Sequence, residues 1–152
     1  MHPTRRLLSA MAAAQILLLA GCVTNPYLPP PNVAAPPANA TVLPGGLAYL
    51  VLASGSGSVH PTLDSVITVN YTGWTTDGHK FDSTINPDGS TSPATFPLGR
   101  LIQGWQTVLP LMVAGEKVRC WIPAKLGYGE HPAKPGQPAG MLVFDIQLIS
   151  FK

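Results

Sequence analysis

The chain has 152 residues, a length that suits one domain or at most two. Charged residues are 11% and hydrophobic residues 45%, which excludes a charge-rich disordered tail, while 17 prolines and 15 glycines spread along the chain exclude a long helical bundle. The formal charge of +2 rests on Arg5 and Arg6; without them seven basic residues face seven acidic ones, leaving no basic excess for nucleic acid.

Residues 1–22 read as an export signal. Arg5 and Arg6 form a positive start, and residues 7–20 form an apolar stretch too short to span a bilayer comfortably. The stretch ends in Leu19-Ala20-Gly21-Cys22, which resembles the lipobox of bacterial lipoproteins. That resemblance implies cleavage before Cys22, lipidation of its thiol and acylation of the new amine, so that two or three chains anchor the protein stably. Val23, rather than an aspartate, follows the cysteine. By the same resemblance this favours the outer membrane, facing the periplasm. Residues 25–44 are rich in Pro, Ala and Asn and carry no charge. This composition predicts an extended, semi-rigid spacer, reaching roughly 50 Å at ~3 Å per residue. The expected organisation is a signal at 1–21, a lipidated cysteine and linker at 22–44, and a folded domain at 45–152.

From Gly45 onward the pattern is that of strands. Residues 47–52 form a β-prone run closed by a Ser/Gly-rich turn. Residues 66–71 alternate, with Ile67, Val69 and Tyr71 on one face. Thr76-Asp77-Gly78 signals a turn before Lys80 and Phe81. A short helix is predicted over residues 103–109, stopped by Pro110. Farther on, Val118, Cys120 and Ile122 share one face, opposite Lys117, Arg119 and Trp121. In the last run Leu142, Phe144, Ile146 and Leu148 face one way, while Asp145 and Gln147 face the other. Cys120 therefore reads as a buried free thiol packing as a small hydrophobe.

Ordinary catalytic chemistry is missing. His2, His60, His79 and His131 show no metal-ligand spacing, and there is no nucleophile elbow, phosphate loop or paired-cysteine redox motif. No metal or cofactor is expected. What stands out is aromatic: Tyr71, Phe81, Phe96, Trp105, Tyr128 and Phe144, each near a glycine, proline or turn.

These residues lie in an ordered series of motifs. Asn70-Tyr-Thr-Gly73 is followed by Asp77-Gly-His-Lys-Phe-Asp-Ser83, Phe96-Pro-Leu-Gly99 and Leu101-Ile-Gln-Gly-Trp105. Then come Met112-Val-Ala-Gly-Glu-Lys117, Ile122-Pro123, Gly127-Tyr-Gly129 and Leu142-Val-Phe-Asp145. The series resembles the FKBP family of peptidyl-prolyl cis-trans isomerases, in order, from about Gly45 to Lys152. The resemblance implies an α+β fold: a twisted antiparallel sheet of about five strands wrapped round one short helix. It implies Trp105 as the floor of a proline pocket, with Tyr71, Phe81, Phe96, Leu101, Ile102 and Phe144 around it. It further implies that the Ile102 backbone N–H and the Tyr128 hydroxyl bond substrate carbonyls, and that Asp82 accepts from a ligand or from Tyr71. Taken as a buried carboxylate, Asp82 needs at least one such partner. Tyr71, Asp82 and Tyr128 are the expected catalytic set.

Two departures from the family pattern stand out. The segment between Phe81 and Phe96 is long and lacks the arginine that often partners the pocket aspartate. Lys134-Pro-Gly-Gln-Pro138 replaces the usual isoleucine-proline-proline loop; if Gly136 takes the isoleucine position, one apolar wall is missing. The function implied is isomerisation of X–Pro bonds in exported polypeptides by a monomer, with FK506 or rapamycin-type macrolides as possible ligands. The alternative is a catalytically weak, membrane-tethered proline-binding or adaptor module.

Overall fold

The computed structural model describes residues 28–152. The signal, Cys22 and the first residues of the expected linker lie outside them. The strands are β1 (Thr41–Val42), β2 (Ala48–Ala53), β3 (Val66–Thr75), β4 (Lys80–Ser83), β5 (Ala94–Pro97), β6 (Lys117–Ile122) and β7 (Leu142–Phe151). The helix α1 spans Gln103–Val108 and runs into a 3-10 turn at Leu109–Leu111 that absorbs Pro110.

All seven strands form one antiparallel sheet in the order β1-β2-β6-β7-β3-β4, with β5 also paired to β3. The long strand β3 explains how seven strands fit an expectation of about five. Its N-terminal half pairs β5 (Ile67 opposite Phe96) and its C-terminal half pairs β4 (Gly73 opposite Asp82), so β4 and β5 share one edge. With the two-residue β1 set aside, the sheet is five ranks deep.

Alternation assigns the two faces as the sequence predicts. Ile67, Val69, Val118, Cys120, Ile122, Leu142, Ile146 and Leu148 are fully or almost fully buried and face α1 through Trp105, Val108 and Leu109. Burial pushes the Cys120 thiol far up from its ordinary range, with the Asp145 charge adding to the shift, so it is an inert core group. The helix seats unusually close at Gly104: a Cβ there would stand 2.7 and 2.9 Å from the Ile122 side chain. That close approach sinks Trp105 into the sheet.

The linker expectation is corrected over residues 28–44. Residues 28–40 make turns, closed by Val33 N–H to Pro30 O (3.0 Å) and Ala40 N–H to Pro37 O (3.0 Å), and lie as a strap on the outer face of the sheet, before the chain enters the edge strand β1. Asn32 is its clasp. Its carbonyl accepts from Trp121 Nε1 at 3.0 Å, and its Oδ1 accepts from Arg119 Nη1 at 2.7 Å. Arg119 is held in turn by a fork onto Asp145, with bonds of 2.6 and 2.9 Å. Val33 is buried among Ala48, Trp74, Trp121 and Val143. The physical reason is that polyproline structure has no internal bonds to lose, whereas Trp121 on the outer face needs both a cover and an acceptor.

Candidate functional site: an aromatic cleft on the inner face

The cleft forms where β3, β4, β5 and β7 converge on the start of α1. Gly73 makes it possible. A Cβ on Gly73 would lie 2.7 Å from both Phe144 Cε1 and Phe81 Cζ, so only a bare backbone lets these two rings close over β3. They meet edge to face with centroids 5.5 Å apart. Trp105, 4% exposed, lies beneath. The rings of Tyr71, Phe144 and Phe96 stand nearly perpendicular to it at 5.2, 5.4 and 6.4 Å.

The segment leading into α1 supplies the far side. Leu101 and Ile102 line it, and Ile102 is the helix N-cap. The Ile102 carbonyl accepts from Trp105 and Gln106 (3.0 and 3.2 Å), and the Gln106 side chain reaches back to the Leu101 carbonyl at 2.7 Å. These bonds fix the turn that presents the Ile102 N–H.

Tyr71 is gripped at its backbone and at its tip. Its N–H donates to Thr84 Oγ1 (2.8 Å), its carbonyl accepts from Thr84 N–H (2.9 Å), and its hydroxyl donates to Asp82 Oδ2 at 2.7 Å. Burial, then the hydrogen bond to Asp82, raises the Tyr71 phenol well above its ordinary range. Tyr128 enters from the opposite rim, between Gly127 and Gly129. Gly129 has a φ of +85°, and its carbonyl accepts from Gly140 N–H at 3.0 Å, closing the following loop at its base. Burial and then the Asp82 charge raise the Tyr128 phenol as well.

All nine residues that the resemblance nominates for the pocket line one cavity of about 190 Å³. It is smaller than the roughly 300–1,000 Å³ of drug-sized sites and suits a small ring with its flanking backbone. Asp82 departs from expectation in one respect: it is exposed rather than buried, although it does accept from Tyr71. Loop residues 130–139 contribute nothing to the lining, and a Cβ on Gly136 would meet nothing within 4 Å. Sequence reasoning assigned no role to Gly73, Gly104 or Thr84. The first two stand inside the quoted motifs, which is the signal that could have found them. Thr84 carried none. Among the described residues no group of acidic, His or Cys side chains could hold a metal ion.

The comparisons with known proteins agree with this geometry. Residues 57–149 match the family model described as FKBP-type peptidyl-prolyl cis-trans isomerase. The chain is 42% identical over 114 residues to the outer membrane protein MIP of Legionella longbeachae, covering 73% of this chain and 46% of that protein. It is 34% identical over 110 residues to FK506-binding protein 1 of Saccharomyces cerevisiae, covering 71% and 95%. The crystal structure of FkpA from Escherichia coli superposes with a TM-score of 0.68 at 31% identity, covering 76% of this chain and 53% of that one. The chain spans 38% to 46% of the length of three bacterial relatives that it matches. By the family model, and by its cover of nearly the whole yeast protein, the chain belongs to the FKBP-type peptidyl-prolyl cis-trans isomerase family.

Proposed function

We propose that the protein is a peptidyl-prolyl cis-trans isomerase of the bacterial cell envelope, acting on X–Pro bonds of exported polypeptides. One observation carries the reading: every residue nominated for a proline pocket converges on one apolar cleft over Trp105. Amide resonance opposes rotation of the X–Pro bond by ~18–20 kcal/mol, and uncatalysed exchange takes tens of seconds or more. No covalent intermediate is needed. Planar amides are stabilised by charge separation, which water favours; an aromatic cleft that excludes water from the imide carbonyl favours the twisted state. A ten-thousandfold acceleration needs ~5.4 kcal/mol, within reach of desolvation plus one or two oriented hydrogen bonds.

In this reading the proline ring rests on Trp105, between Tyr71, Phe81, Phe96 and Phe144. The Ile102 N–H and the Tyr128 hydroxyl bond substrate carbonyls. Asp82 holds Tyr71 in place through their 2.7 Å bond. The yeast relative, FK506-binding protein 1, supports an FK506-type macrolide as a ligand of the same cleft. That of the Legionella relative supports an envelope location, and the lipobox-like Cys22 supplies the anchor.

The test is the full-length protein on short X–Pro peptides, with rapamycin titrated in. Catalysis suppressed by the drug supports the reading. A folded protein with no catalysis overturns it and leaves a proline-binding module.

A further inference from the structure

The cleft is lined by aromatic and aliphatic side chains, two phenol hydroxyls and one formal charge. Of its nine lining residues, only Asp82 carries one. Its carboxylate is exposed on β4, and Oδ2 takes the Tyr71 hydroxyl. That bond is to a neutral donor, so it orients the carboxylate without neutralising it. The salt bridges of Arg119 and Lys117 go to Asp145 on the outer face, away from the cleft. The field of Asp82 also spans the mouth of the cleft, since it acts on both Tyr71 and Tyr128. A carboxylate at the mouth of a cleft with low-dielectric walls focuses its field toward whatever enters.

We propose that Asp82 is a specificity-determining residue, which makes the cleft favour X–Pro segments bearing a lysine or arginine next to the proline and disfavour acidic ones. The proposal rests on the isomerase reading and narrows its substrate class. The absence of any lining residue from 130–139 strengthens it. With no wall on that side, apolar contacts select less among flanking side chains, and the charge carries more of the choice.

The test uses three peptides with the same X–Pro bond that differ only in the residue after proline: Lys, Ala or Glu. The full-length protein should turn them over with kcat/KM in the order Lys, Ala, Glu, with Lys over Glu by roughly three- to tenfold at low salt, as expected of exposed charge pairs. In about 0.5 M salt the ratio should fall toward one, because screening then acts within a few ångströms. Asp82→Asn, which keeps an acceptor for Tyr71, should abolish the ratio whatever it does to the Ala peptide. Equal rates on Lys and Glu peptides, with the Ala peptide turned over, would overturn the proposal and leave the isomerase reading standing. So would an unchanged ratio in Asp82→Asn. If no peptide is turned over, the isomerase reading fails, and equilibrium affinities of the same peptides decide: a Lys-over-Glu preference lost in Asp82→Asn supports the charge selection, and equal affinities refute it.

Discussion

The two faces of the sheet are built by different means. The inner face is a continuous apolar layer under α1, and at one end its aromatic rings part to leave a cleft. The outer face is a polar ladder of Lys117, Arg119 and Asp145 beside a small apolar cluster roofed by the strap. Each face buries an indole N–H with no acceptor among the described residues, Trp105 inside and Trp74 outside. The inner face thus combines stability with an opening for a ligand, while the outer face is closed by the chain itself. The difference teaches that both faces stabilise the sheet but only the inner one opens to a ligand, so substitutions on its two sides should part company in activity.

The sharpest way to break that separation is a pair of large truncations. Trp105→Ala and Trp121→Ala each remove a buried indole and should each lower unfolding free energy by roughly 3–5 kcal/mol in denaturant titrations. Only Trp105→Ala should also reduce kcat/KM per folded molecule, by tenfold or more. Next in size, Gly104→Ala forces a methyl into the Ile122 side chain and should cost about 1–3 kcal/mol despite the better helix propensity of alanine. Asn32→Ala removes the acceptor for Arg119 Nη1 while keeping the carbonyl bonded to Trp121, and should cost about 1–2 kcal/mol with activity unchanged. Loss of activity in Asn32→Ala would show that the strap reaches the cleft. Tyr128→Phe should leave stability within about 0.5 kcal/mol and lower kcat/KM by a few fold.

The smallest effect is alkaline. Tyr71, Tyr128 and Cys120 all bind their protons more tightly in the fold than in the unfolded chain. Above the unfolded values, about 8.5 for a thiol and 10 for a phenol, the unfolded state releases protons that the native state keeps. The stability these groups contribute is complete below those values and is lost progressively above them, up to the raised native values. Thermal unfolding should therefore move down above about pH 8.5, and further above pH 10. Replacing Cys120 by Ala should remove the first part of that fall.

The inner face was legible in the sequence because its information is local. Alternation in β3, β6 and β7 assigned the core, and the ordered motifs nominated all nine cleft residues. The outer face was not. Alternation grouped Trp121 with Lys117 and Arg119 and gave no sign of a cover for that face, yet Trp121 is fully buried. What buries it lies 89 residues away, at Asn32, in a segment whose composition suggests an extended spacer. No local pattern encodes a partner at that distance. Gly73 and Gly104 were hidden for another reason: their contribution is the absence of a side chain, visible only once the rings of Phe81 and Phe144 and the branch of Ile122 are placed around them.

The most direct measurement is X–Pro isomerisation by the wild-type protein beside Trp105→Leu and Trp121→Leu, with each rate divided by the folded fraction read from near-UV circular dichroism. The wild type should accelerate exchange, Trp121→Leu should stay within about twofold of it, and Trp105→Leu should fall well below both. A folded wild type that does not accelerate exchange, or a Trp105→Leu protein as active as Trp121→Leu, would contradict a catalytic cleft on the inner face.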